Sequence, residues 1–110
     1  MHMTGQFTIP AGSVVNVVVT GVGFTPTDLI IQAQSSALAG STSIGRGDAD
    51  SEGSHDTDGG IDTANIINAG SGALNITANI LSFDADGFTL AVSNNTMTAD
   101  IFCFYTAMRP

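Results

Sequence analysis

Apolar and polar residues alternate along most of the chain with a period of two, and Gly, Pro and Asn breakers fall at intervals that suit short strands. Gln6-Phe7-Thr8-Ile9 alternates and stops at Pro10-Ala11-Gly12. Ser13 to Thr20 is valine-rich, with Val15, Val17 and Val19 on one face, and β-branched side chains favour that extended state. Gly21-Val22-Gly23-Phe24-Thr25-Pro26 ends this strand and leaves Phe24 to anchor the loop on the core. Asp28 to Gln34 turns Leu29, Ile31 and Ala33 inward, and Ala37 to Ile44 reads as a weaker strand.

The second half is more regular. Ile61 to Asn68 carries Ile61, Ile66 and Ile67, and Ala73 to Phe83 sets Leu74, Ile76, Ala78 and Ile80 against Asn75, Thr77 and Asn79, a strand with one wet face. Asp84-Ala85-Asp86-Gly87 reads as a hairpin turn in which Gly87 supplies a positive φ. Phe88, Leu90 and Val92 continue inward. Ala99 to Met108 is apolar on both faces, which predicts a central strand with Cys103 buried. No segment shows a sustained i, i+3, i+4 stripe between caps. The fold class is therefore all-β: a single antiparallel β-sandwich or jelly roll of seven or eight strands over residues 1–110, with residues 1–10 able to extend as an N-terminal arm.

Between the two halves, Gly45 to Gly60 is rich in Gly, Asp and Ser, with Ala49 its one aliphatic side chain, and no aromatic. Its composition is that of a long exposed loop, and a loop of that length is a candidate for binding or contact.

Charge narrows the partners. The chain has ten acidic residues against Arg46 and Arg109, no Lys, and a formal charge of −8. Two arginines far apart in sequence make no basic footprint for phosphates, so neither nucleic acid nor an anionic membrane is an expected partner. Apolar residues are 43% and charged residues 11% of the chain, which excludes intrinsic disorder. A lone cysteine allows no intrachain disulfide.

Few groupings carry chemistry. Asp48-x-Asp50-x-Glu52-Gly53 matches the first half of a calcium loop, where alternate carboxylates converge around a glycine turn. The bidentate glutamate due at its end is replaced by Gly59, with Asp58 one place early. Asp48, Asp50, Glu52 and Asp58 are thus candidates for a non-standard metal site, set against the favoured reading of a solvated acidic loop. Arg46-Gly47-Asp48 spells an adhesion tripeptide, a string too short to be informative. Ser54-His55-Asp56 has the residue types of a hydrolase triad, but consecutive residues do not converge on one point as a triad must. The Asp84/Asp86 pair is explained by its turn. No zinc pattern or phosphate loop is present, so no cofactor is implied and the chain reads as non-enzymatic.

Three ordered segments carry a resemblance: Val22-Gly23-Phe24-Thr25-Pro26-Thr27-Asp28-Leu29-Ile30-Ile31, then Ser82-Phe83-Asp84-Ala85-Asp86-Gly87-Phe88-Thr89-Leu90, then Phe104-Tyr105-Thr106-Ala107-Met108-Arg109. Together, over about residues 18 to 109, the chain resembles a β-rich module of virion structural proteins in tailed bacteriophages. Gln32-Ala33-Gln34 stands where related modules often carry an aromatic or basic residue. The resemblance implies a protein of the outer particle surface with no catalytic residues: a capsid decoration (cement) protein, or, as the alternative, a tail-fibre or receptor-binding, lectin-like module. A homotrimer bound to capsid or other virion subunits is the expected assembly. Phe7, Ile9 and Pro10 are its interface candidates, since a short uncharged arm can add a strand to a neighbour.

A buried Cys103 should resist a thiol reagent in the native protein and react only after unfolding. Rapid labelling under native conditions would remove the Ala99 to Met108 strand from the core.

Overall fold

The chain is described here from a computed structural model, which covers residues 1–38, 42–56 and 60–110. It is all-β, with ten strands and no helix among the described residues. In chain order they are β1 (His2–Ile9), β2 (Val17–Val19), β3 (Asp28–Ser35), β4 (Thr42–Asp48), β5 (Glu52–Asp56), β6 (Ile61–Asp62), β7 (Ile67–Ser71), β8 (Leu74–Asp84), β9 (Gly87–Asn95) and β10 (Ile101–Met108). Two antiparallel sheets face each other as a β-sandwich. The larger runs β1-β10-β3-β4-β5-β6 and the smaller β2-β9-β8-β7.

Alternation fixes which side of each strand is buried. Ile9, Leu29, Ile31, Ala33, Ile101, Cys103 and Ala107 of the large sheet meet Val19, Ile67, Ala69, Ile76, Ala78, Phe88, Leu90 and Val92 of the small one. Phe88 lies fully buried at the centre, edge-on to Tyr105 (centroids 5.2 Å apart) and to Phe7 (6.0 Å), a geometry that sets ring edges against ring faces. Cys103 is buried as expected, and desolvation pushes its thiol up to about 12.

The Gly21–Gly23 turn is tied to the β8–β9 hairpin through Asp86. Gly21 and Gly23 both take positive φ, and their N–H groups donate to the Asp86 carboxylate at 2.9 and 2.7 Å. The Val22 N–H donates to the Asp86 carbonyl at 3.0 Å. Gly87 departs from expectation here: its φ is not positive. It is glycine because a Cβ would sit 1.8 Å from the Val19 carbonyl oxygen. Phe24 and Pro26 are buried beneath the turn.

The largest correction concerns Gly45 to Gly60. Over its described residues 45–56 it is no loop: Thr42–Asp48 and Glu52–Asp56 form a hairpin inside the large sheet, turning at Ala49-Asp50, and residues 57–59 lie outside the described residues. The inner-facing residues are Ser43, Gly45 and Gly47 on β4 and Glu52, Ser54 and Asp56 on β5, with no apolar side chain among them. A Cβ on Gly45 would lie 1.6 Å from the Ile66 carbonyl oxygen, so the two sheets meet here backbone to backbone. The polar side chains bond main chain of the other sheet. Ser43 Oγ accepts from the Asn68 N–H (3.1 Å), Ser54 Oγ donates to the Asn65 carbonyl (2.8 Å), and Asp56 accepts from the Gly70 N–H (3.2 Å). Glu52 Oε1 accepts from the N–H groups of both Ile66 (3.1 Å) and Ile80 (2.8 Å).

Five further expectations are adjusted. The valine-rich strand shrinks to Val17–Val19, because residues 10–16 cross from one sheet to the other; Asn95 holds that crossing, donating to the Pro10 and Ser13 carbonyls at 3.0 and 2.9 Å. Strand β10 is interior to its sheet but buried on one face only, since Phe102 and Phe104 are half exposed. Ile61 is exposed while Ile66 and Ile67 are buried. Residues 1–10 do not extend as a free arm: β1 pairs along its whole length with β10, and Met1 and Arg109 continue the ladder with two main-chain bonds. The weaker strand expected from Ala37 begins only at Thr42, with 39–41 outside the described residues.

Glu52 makes this packing testable. Burial raises its pKa, against the lowering effect of the Ile80 and Ile66 amides, and nearby Asp62 adds to the rise. A carboxyl raised on folding contributes stability that is fully present below its unfolded pKa and lost as pH rises through the folded one. Glu52→Gln keeps an oxygen for both amides and removes the charge, so it should match or exceed the wild type at neutral pH and abolish that part of the pH dependence. Glu52→Ala strands two partly buried N–H groups and should cost about 1–3 kcal/mol. Gly45→Ala should cost about 3 kcal/mol or more by forcing the sheets apart. Chemical denaturation of the three variants across pH checks the order.

Candidate functional site

Every residue whose side chain leaves the large sheet outward lies on one broad face. The strand registers align one row straight across it: Gln6, Phe104, Gln32, Ile44, His55 and Ile61. The row below holds Thr4, Thr106, Ile30, Arg46 and Gly53, and the row above holds Thr8, Phe102, Gln34 and Thr42. Phe102 is 48% exposed, Phe104 50%, Ile44 43% and Ile61 83%. Scattered exposed apolar residues are ordinary on any surface. Two aromatic rings and three isoleucines on one flat sheet face are not scattered.

Relief adds to composition. Two adjoining depressions of about 700 and 520 Å³ share Ile30: one is walled by Ile44, Arg46, His55 and Ile61, the other by Thr4, Gln6, Gln32 and Phe104. A third lies beside Phe102 and Phe104.

The face is also poor in charge for so acidic a chain. By strand alternation, the carboxylates it carries among the described residues are Asp28 and Asp48, paired across β3 and β4 at one corner beside Arg46. Most of the other described carboxylates are engaged elsewhere, chiefly as acceptors for turns. Desolvation is the largest single influence on Asp62 and raises its pKa, but the Ala64 and Asn65 N–H groups and the Asn65 and Asn68 amides, from which it accepts, together outweigh it and leave the pKa lowered. Asp84 is lowered by the Thr89 and Ser82 hydroxyls, and Asp86 by the Gly21 and Gly23 amides. Asp100 accepts from the Ala11 N–H at 3.0 Å.

The acidic motif does not assemble into a ligand cage. Asp48 Oδ1 accepts from the N–H groups of Asp50 (2.8 Å) and Ser51 (2.9 Å), closing the β4–β5 turn, and these bonds hold its pKa low. Glu52 turns beneath the sheet to Ile66 and Ile80. Asp58 and Gly59 lie outside the described residues. Among the described residues no three His, Cys, Asp or Glu side chains converge as metal ligands would. Ser54-His55-Asp56 lies along β5, so Ser54 and Asp56 face inward while His55 faces out, and the three side chains diverge. Arg46-Gly47-Asp48 lies within β4, hydrogen-bonded on both sides. Of the interface candidates, Ile9 is fully buried, Phe7 packs on the core rings, and Pro10 is at the surface.

The sequence singles out Arg46, Asp48 and His55 of this face within other motifs, but none of its apolar residues. Phe102 and Phe104, alternating with Cys103 and Tyr105, carry a signal of the face, since apolar residues on both sides of a strand mark its sheet position without saying that both sides are buried.

Comparison of the chain with protein-family models, curated proteins and solved structures finds no match in any of the three.

Calcium titration gives a direct check on the acidic turn. With the Asp48 and Glu52 oxygens held by main-chain amides, calorimetry should show no micromolar binding; micromolar affinity lost in Asp50→Ala would establish a metal site at that turn.

Proposed function

We propose that this chain is a non-enzymatic structural protein of a bacteriophage particle, a capsid decoration protein that binds the outer capsid and stabilises it. The observation that carries the docking part of this reading is the outer face of the large sheet. It is wide, sets Phe102, Phe104, Ile30, Ile44 and Ile61 among Thr and Gln, and carries few charges for a protein of net charge −8, a composition suited to losing water against a neighbour. Phe102 and Phe104, half exposed in the single chain, would be the anchoring side chains once covered, with Thr and Gln around them able to bond a partner's main chain. The phage particle as the setting rests on the resemblance alone. Its Gly-Phe-x-Pro and Asp-x-Asp-Gly-Phe segments touch in this fold, where the Gly23 N–H donates to the Asp86 carboxylate.

One observation favours the receptor-binding alternative. The half-exposed Phe104 ring lies in one row between the amides of Gln6 and Gln32. An apolar platform flanked by donors and acceptors suits a sugar ring as well as a protein.

Copy number in purified virions separates the two: decoration requires a number comparable with the major capsid subunit, a tail module one comparable with tail proteins. The Phe102→Ser/Phe104→Ser double variant should lose particle attachment while it stays folded, its stability falling by about 1.5–3 kcal/mol because each half-exposed ring gives up only half of a full burial. Normal attachment by the folded variant would refute docking through this face. A glycan bound by the wild type and lost in Phe104→Ala would favour the receptor-binding reading.

A further inference from the structure

The four sheet edges are not alike. Strand β2 has three residues and β6 two, too short to template another chain. Strand β7 is covered: its outward N–H groups at Asn68 and Gly70 donate to Ser43 and Asp56 of the other sheet, and the Ile66 N–H beside it donates to Glu52. Strand β1 is the exception. It runs eight residues along the rim with no bulge in its register, no Pro and no Lys, Arg, Asp or Glu. These are the guards by which proteins blunt an edge.

Its free hydrogen-bonding groups can be assigned. Met1 and Arg109 exchange both main-chain bonds (2.8 and 2.9 Å), and antiparallel ladders alternate between bonded and non-bonded pairs. The odd residues Met3, Gly5, Phe7 and Ile9 therefore bond β10. The N–H and C=O groups of His2, Thr4, Gln6 and Thr8 point away from it, to the open side. The Thr27 N–H bonding the Met108 carbonyl fits the same phase, since it places the even residues of β10 toward β3.

We infer that β1 is a self-pairing edge, and that its partner is β1 of a second copy of this chain, antiparallel about a twofold axis at Gly5. In that register His2 lies opposite Thr8 and Thr4 opposite Gln6 of the other copy, so all four outward residues of both strands exchange bonds. The inner-facing side chains fit as well. Met3, exposed and apolar in the single chain, comes against Phe7 of the second copy, a sulfur–aromatic contact. Gly5 meets Gly5 at the axis, and it must be glycine because the Tyr105 ring occupies the space of its Cβ. No carboxylate lies on this edge, so the net charge of −8 does not oppose the pairing locally. A twofold closes on itself and leaves no further β1 edge, which selects a dimer over the trimer expected from the sequence.

Sedimentation equilibrium from micromolar to submillimolar protein should show the mass rising from 11.2 kDa toward twice that value. Added salt should tighten the association by screening the overall charge. Thr4→Pro removes only an outward N–H and should hold the protein at monomer mass with an unchanged circular dichroism spectrum. Gln6→Lys, which leaves the β10 ladder intact, does the same by guarding the edge and serves if the proline weakens folding. The Thr4 and Gln6 amides should slow in hydrogen exchange about tenfold or more between the lowest and highest concentrations. A monomer at submillimolar concentration, a trimer mass, or doubling without protection of those two amides would each overturn the inference.

Discussion

At one end of this sandwich the two sheets touch through their backbones, and the wide outer face exists because of it. Where Phe88, Tyr105 and Phe7 stand between them, the sheets are held apart by side chains in the ordinary way. Across β4 and β5 there are no such spacers. Gly45 lets the Ile66 carbonyl lie where a Cβ would be, and Ser43, Glu52, Ser54 and Asp56 reach over to bond the main chain around β7. These bonds do two things at once. They satisfy the exposed edge of the small sheet, and they seat β4, β5 and β6 so that the large sheet can be six strands wide. An ordinary apolar inner face on β4–β5 would need side-chain thickness that the Ile66 contact does not allow.

This arrangement explains what could and could not be read from the residues alone. Strands β3, β8 and β9 follow from alternation, because each buries one apolar face against the core and period-two patterning reports that burial directly, while β10 follows from its continuous apolar run. The β4–β5 hairpin was illegible because its inner face is Gly, Ser and carboxylate, the composition of a loop. Yet Ser43-x-Gly45-x-Gly47 and Glu52-x-Ser54-x-Asp56 repeat with period two, small or polar residues inward at every step. Gly87 was placed correctly in a turn but for a different cause, since a close approach by another strand leaves no trace in local sequence. The outer face was missed for a related reason: apolar residues at Phe102 and Phe104 say that water is unfavourable there, and the pattern alone does not distinguish a core from an unfilled docking surface.

The acidic residues have a larger structural part than their exposure suggests. Asp48, Asp62, Asp84, Asp86 and Asp100 each close a turn or a crossing by accepting N–H or hydroxyl groups. For the four whose pKa values are lowered by those bonds, stability is present above the unfolded pKa and is lost as pH falls through the depressed folded value. Glu52 has the opposite sign, so acidification relieves its burial while it undoes the turns. Negative charge is thereby concentrated at the loops, and the flat face of the large sheet is left nearly free of it.

A protein that lacks Lys altogether gives up the commonest device for guarding sheet edges and flat faces. Net negative charge still protects it from indiscriminate association, because carboxylates at the turns repel other copies at a distance. That protection is weakest along β1 and across the Phe102–Phe104 face, which adjoin each other through the Gln6–Phe104 pairing. The two surfaces are geometrically independent, since one uses main-chain groups in the plane of the sheet and the other side chains perpendicular to it. Pairing at the edge would therefore leave the face open and double its width. A weak contact repeated on a twofold gains effective concentration for the second engagement, so a face too polar at its rim to hold as a single copy could hold as a pair.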